Sequence, residues 1–139
     1  LVGDGVAATD AGALWFLFDS KLKMPVTKVN TTQFNALRLH EYSTLILPSG
    51  NHNALGESGA TKIKTWMQQG GTVVLLKNAV SWAINNKLIE EQLKKEEEKK
   101  ETKRLDYLTA ADYQGARAIG GSIYKGNLDI THPLGFGYT

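Results

Sequence analysis

Thr44-Leu45-Ile46-Leu47-Pro48-Ser49-Gly50 and Gly70-Gly71-Thr72-Val73-Val74-Leu75-Leu76 are two short apolar runs, each bounded by turn-forming residues. The first is halted by Pro-Ser-Gly and the second is launched by a glycine pair. Continuous apolar runs of this length read as strands buried on both faces. Between them Ala60, Ile63, Trp66 and Met67 share one face of a helix, and Gly70 suits the left-handed position that ends it. Strand, helix, strand in this order forms a parallel crossover, and that unit decides the fold class.

The pattern repeats on the N-terminal side. Leu1-Val2 runs into Gly3-Asp4-Gly5, the end of a strand meeting a tight turn. Ala11, Leu14, Trp15 and Phe18 then form one apolar helical stripe, with Thr9 or Asp10 as the expected cap. Met24-Pro25-Val26-Thr27-Lys28-Val29 reads as a short strand with proline near its start. Thr31 or Thr32 is the expected cap of a second helix carrying Phe34 and Leu37. On the C-terminal side, residues 79–104 contain neither glycine nor proline and read as one helix. Val80, Ala83, Ile84 and Leu88 supply its packing face, and residues 94–104 form a solvated, charged helical extension. Glu90–Lys94, Glu91–Lys95 and Glu96–Lys100 support that extension at the four-residue spacing. Ala116-Arg117-Ala118-Ile119-Gly120-Gly121-Ser122-Ile123-Tyr124 reads as a last strand, and Leu128-Asp129-Ile130-Thr131-His132-Pro133 leads into coil. The expected fold is a single α/β domain over residues 1–139. A mostly parallel sheet is covered on both faces as a flavodoxin-like three-layer sandwich, and there is no internal repeat.

Composition narrows the chemistry. Apolar residues make up 42% of the 139, enough for a packed interior. Sixteen basic and fourteen acidic residues leave a net charge of +2, and the longest charge run mixes both signs. Neither feature makes the basic face that a nucleic-acid partner needs. No stretch approaches the roughly 20 apolar residues that cross a bilayer, so membrane insertion is not expected. No basic-then-apolar leader opens the chain, so any signal peptide is expected outside it. With no cysteine, thiolate nucleophiles, disulfides and cysteine-bound zinc are excluded.

An ordered series of residues also carries a resemblance. It runs from Gly3-Asp4-Gly5 through Asp10-Ala11-Gly12, Trp15, Asp19 and Met24-Pro25-Val26-Thr27. It continues with Tyr42-Ser43-Thr44-Leu45-Ile46-Leu47-Pro48-Ser49-Gly50, Trp66 and Gly70-Gly71-Thr72. It closes with Gly115-Ala116, Ile119-Gly120-Gly121 and Leu128-Asp129-Ile130-Thr131-His132-Pro133-Leu134. The series resembles the C-terminal domain of bacterial zinc carboxypeptidase-like proteins of Bacteroidetes type, a domain related in fold to class I glutamine amidotransferases. The resemblance implies a first strand that begins before Leu1, further elements after Thr139 and a zinc peptidase domain upstream. It further implies a periplasmic or secreted setting, zinc confined to that upstream domain, and no cofactor in this one. The partner it implies is the peptidase domain of the same polypeptide, with peptide substrate as a second contact.

Against that pattern each chemical candidate has an ordinary reading. Amidotransferases place a cysteine at a strand-to-helix elbow, and the matching elbow here is Lys77-Asn78-Ala79. Asparagine is no nucleophile, and lysine serves only with a lowered pKa. His132-Pro133 echoes a catalytic pair, but Leu134 stands where the acid would follow, so His132 reads as structural. His40, His52 and His132 form no zinc-binding spacing. Ser49 with His52 lacks the G-x-S-x-G elbow of serine hydrolases, and Ser81 sits on a helix. Any ligand of an open α/β sheet lies at the carboxyl ends of its strands. That rim holds Asp4, Ser49, Asn51, Lys77 and Asn78, a candidate vestigial pocket. The expected function is a noncatalytic accessory domain. The alternatives are a hydrolase or transferase with a noncysteine site on that rim, or a small-ligand sensor using the same crevice.

Overall fold

Leu45 and Leu47 alternate with Thr44 and Ile46, and only the two leucines are buried. This alternation orients the sheet at the centre of the fold. The computed structural model describes residues 1–93, 106–116 and 125–137. Two compact units divide the chain, Leu1–Glu96 and Glu97–Thr139.

In the first unit, β1 (Thr44–Leu47) and β2 (Thr72–Leu75) pair in parallel, with Thr44 opposite Thr72 and Leu47 opposite Leu75. The architecture is α/β, with a small two-stranded parallel sheet among helices. Two backbone contacts lie outside this sheet. The nitrogen of Leu1 donates to Ile46 O at 2.7 Å, and Val2 forms a parallel bridge with Asn30.

Helix α1 (Ala8–Phe16) continues into a π-helical turn, Leu17–Lys21. Its N-cap is Ala7, with no side-chain cap, so neither Thr9 nor Asp10 takes that role. Asp10 lies inside the first turn, where its charge still suits the helix dipole. The expected strand at residues 24–29 is irregular; pairing reaches this segment only at its end, where Val2 N donates to Val29 O. Phe34 lies in a 3-10 helix, Thr31–Ala36, capped by Asn30 rather than by a threonine. The Asn30 carboxamide accepts from both the amide and the hydroxyl of Thr32. This helix is closed at its far end by Lys62, whose Nζ donates to the carbonyls of Phe34, Asn35 and Leu37.

Helix α2 (Gly56–Gln68) joins β1 to β2 and buries Ala60, Ile63 and Trp66. It ends as its sequence predicts: Gly70 takes φ 102°, Gly70 N bonds Met67 O and Gly71 N bonds Trp66 O. Together these bonds make a Schellman stop. Helix α3 (Asn78–Asn85) follows β2 and ends far short of residue 104. The same pair of bonds stops it, from Lys87 N to Ile84 O and from Leu88 N to Ala83 O. Here Lys87 occupies the left-handed position at φ 56°, and buried Leu88 folds back into the core. The expected helix over 79–104 is thus corrected to eight residues. Its charged extension, 94–104, and most of the strand at 116–124 lie outside the described residues.

One hydrophobic core serves this unit. Phe34, Leu47, Leu55, Ile63, Trp66, Trp82 and Leu88 are buried in it, with Val73 and Leu75 packed against it. Leu45 and Leu47 share its face of the sheet. The opposite face is only partly covered: Thr44 and Thr72 are exposed, and Val74 is 39% exposed. The second unit contains α4 (Tyr107–Gly115) and a 3-10 turn, Pro133–Gly135.

Candidate functional site

The rim at the carboxyl ends of the strands is assembled by main chain. The Gly3–Val6 turn, closed by Val6 N on Gly3 O, meets the loop after β1 as an antiparallel bridge between Val6 and Gly50. Asn51 N donates to Gly5 O at 2.6 Å, and Ala7 N donates to Ser49 O at 2.8 Å. Gly5 and Gly50 adopt φ 81° and 152°. A Cβ on Gly5 would stand 2.0 Å from Asn51 O, and one on Gly50 would stand 2.2 Å from Gly5 O. Only glycine permits this approach. Asp4, Ser49 and Asn51 are thereby carried on two loops zipped together.

The functional groups of these residues are turned to structural work or to solvent. Asp4 is exposed, and its carbonyl accepts from the Thr31 hydroxyl. Asn51 is exposed and caps the 3-10 helix His52–Leu55 by accepting from Asn53 N at 2.9 Å. Ser49 is buried. His52, three residues on, is fully buried, and its Nε2 bonds Pro48 O at 2.8 Å. Donation from Nε2 leaves Nδ1 as a bare acceptor, and it has no partner. The ring meets Trp82 edge-on at 5.7 Å. Desolvation pushes the His52 pKa below the ordinary value, with the Pro48 bond acting in the opposite direction. Ser49 and His52 therefore share a loop without forming a nucleophile–base pair.

The elbow is the one strained point of the rim. Lys77 stands between β2 and α3 at φ 50°, ψ −116°, outside the regions that L-residues favour. Strained turns of this kind lift a nucleophile above the sheet in α/β hydrolases. Leu76 N bonds Leu47 O at 3.1 Å, which fixes the entry to the elbow beside the β1 loop. The Lys77 ammonium lies 3.0 Å from both carboxylate oxygens of Asp10 on α1. Asn78 begins α3 and is exposed. The structure thus links Lys77 to α1 through Asp10, whose expected role at that helix was as a cap. No local signal announces that pair, because 67 positions separate its members.

The remaining candidates lie elsewhere. His40 is exposed. His132 is exposed too, and its Nδ1 accepts from Leu134 N at 3.2 Å, capping the Pro133–Gly135 turn. The Thr131 hydroxyl and amide bond Asp129 rather than His132, and the hydroxyl above all lowers the Asp129 pKa. Among the described residues, no three histidine, aspartate or glutamate side chains gather as a metal would require. No described helix is long and apolar enough to cross a membrane. No protein-family model, curated protein or solved structure matches this chain.

Proposed function

We propose that this chain is a noncatalytic α/β accessory domain with flavodoxin-like strand order, retaining the elbow of thiol amidotransferases as a structural corner. The observation that carries this reading is Lys77. The elbow residue has the strained backbone of a nucleophile's position, but it bears an ammonium held by both oxygens of Asp10. An ammonium has no lone pair with which to attack a carbonyl. His52 is enclosed in the core with its Nε2 on Pro48 O, out of reach of solvent. The strand order supports the topology. The isolated Val2–Asn30 bridge and the Leu1–Ile46 bond, added beside the parallel pair β1–β2, suit the 2-1-3-4 order of doubly wound folds.

The residue series that resembles the C-terminal domain of zinc carboxypeptidase-like proteins supplies the context. In that setting the domain supports an upstream peptidase domain, or contacts its peptide substrate, in the periplasm or outside the cell. Zinc belongs to that upstream domain. The test has two arms. The purified chain is assayed for ammonia release from glutamine and for hydrolysis of p-nitrophenyl esters and peptide amides, where no turnover above buffer is expected. Turnover lost in Lys77→Ala or Ser49→Ala would overturn the reading. Sequencing the coding region upstream should reveal an H-x-x-E zinc motif, and its absence from a complete reading frame would remove the peptidase context.

A further inference from the structure

Helix α1 has no buried side chain, although its stripe of Leu14, Trp15 and Phe18 is apolar. Between this stripe, residues 24–29 and β1 lies an open cavity of about 420 Å³, to which Ile46 contributes a wall. That volume falls within the roughly 300–1,000 Å³ of small-molecule sites, which are mostly apolar with a few placed polar groups. The walls meet solvent: Trp15 is 46% and Met24 54% exposed. None of Asp4, Ser49, Asn51, Lys77 or Asn78 lines the cavity.

Two charged residues line it, and only one is available. Glu41 is paired with Arg38 at 3.0 Å. Lys28 has its ammonium 4.2 Å from the centre of the Trp15 ring and no carboxylate partner among the described residues. The ring face holds the ammonium at the border of the apolar surface without neutralising it. We propose that this trough binds a small amphipathic carboxylate, its apolar body lying between α1 and β1 and its carboxylate on Lys28. The sign of the charge and the apolar lining choose this occupant over a neutral or cationic one.

Trp15 gives the experiment its signal. The chain is titrated with decanoate, decanol and decyltrimethylammonium, each kept below its micelle concentration, while tryptophan fluorescence is followed. Decanoate is expected to give a saturable change that Trp15→Phe removes, at a concentration at least tenfold lower than decanol, the difference one charge-assisted bond makes. Lys28→Met should abolish that preference, with an unchanged circular dichroism spectrum showing that the exposed substitution leaves the fold intact. Equal binding of all three probes, no saturable change with any of them, or a preference that survives in Lys28→Met would overturn the proposal. So would concentration-dependent dimerisation that shields Trp15 without ligand, since a second copy would then be the occupant.

Discussion

The two helices that flank β1 in sequence, α1 and α2, obey the same apolar periodicity but have opposite fates. Helix α2 buries Ala60, Ile63 and Trp66 in the common core, and Ile63 is wholly inaccessible. Helix α1 buries nothing completely and stands over a cavity. Periodicity therefore reports which face of a helix is apolar, and says nothing of how well that face is covered. Stability in this unit is concentrated on the α2 side, and space for a ligand on the α1 side.

The largest expected effect breaks that comparison directly. Ile63→Ala should cost about 2–5 kcal/mol, because deleting a fully enclosed side chain leaves a void in the core. Leu14→Ala on α1 should cost under about 1 kcal/mol, since the half-buried leucine borders space already open. Urea denaturation of the two variants measures both, and equal losses would mean that α1 is packed as tightly as α2.

Acid should act next, through His52, buried against Trp82 of α3. The folded state holds the His52 pKa down, so folding favours the neutral ring. Stability is then complete above the unfolded histidine value and declines as pH falls below it. Urea midpoints measured between pH 8 and pH 5 should therefore fall with acidity. His52→Gln should flatten that dependence. A midpoint independent of pH would refute the buried neutral imidazole.

The smallest effect sharpens a second contrast, between the ends of α2 and α3. Both stop in the same hydrogen-bonded motif, yet one has Gly70 at the left-handed position and the other Lys87. Lys87→Gly should raise stability by about 0.5–1 kcal/mol, by removing the steric penalty of a side chain at positive φ. Thermal melting resolves a gain of that size.

This second contrast also explains what was legible in the chain. The runs at 44–47 and 72–75 and the stripe of α2 were readable because apolar pattern and stop signals agreed. Gly70 marked its helix end by composition. Lys87 did not, and the adjacent Asn85-Asn86 was the only local hint that the helix would break. Residues 24–29 have the composition of a strand but meet a partner only at Val29 and Asn30, a tertiary outcome that propensity does not encode. Of the rim, the elbow could be located because it must lie between a strand and a helix. Its ion pair to Asp10 could not, because only the completed fold brings α1 and the elbow together. The buried state of His52 was equally silent, since nothing beside it in sequence distinguishes it from exposed His40.

The zipped loops at Gly5 and Gly50 have a consequence for how this corner tolerates change. Their spacing is dictated by main-chain atoms touching one another, so the shape of the crest does not depend on the side chains displayed there. The exposed side chain of Asp4 is then a replaceable ornament, whereas a single methyl group on either glycine prises the two loops apart. Drift in a lineage of this domain would accordingly rewrite the chemistry of the crest while leaving its outline unaltered.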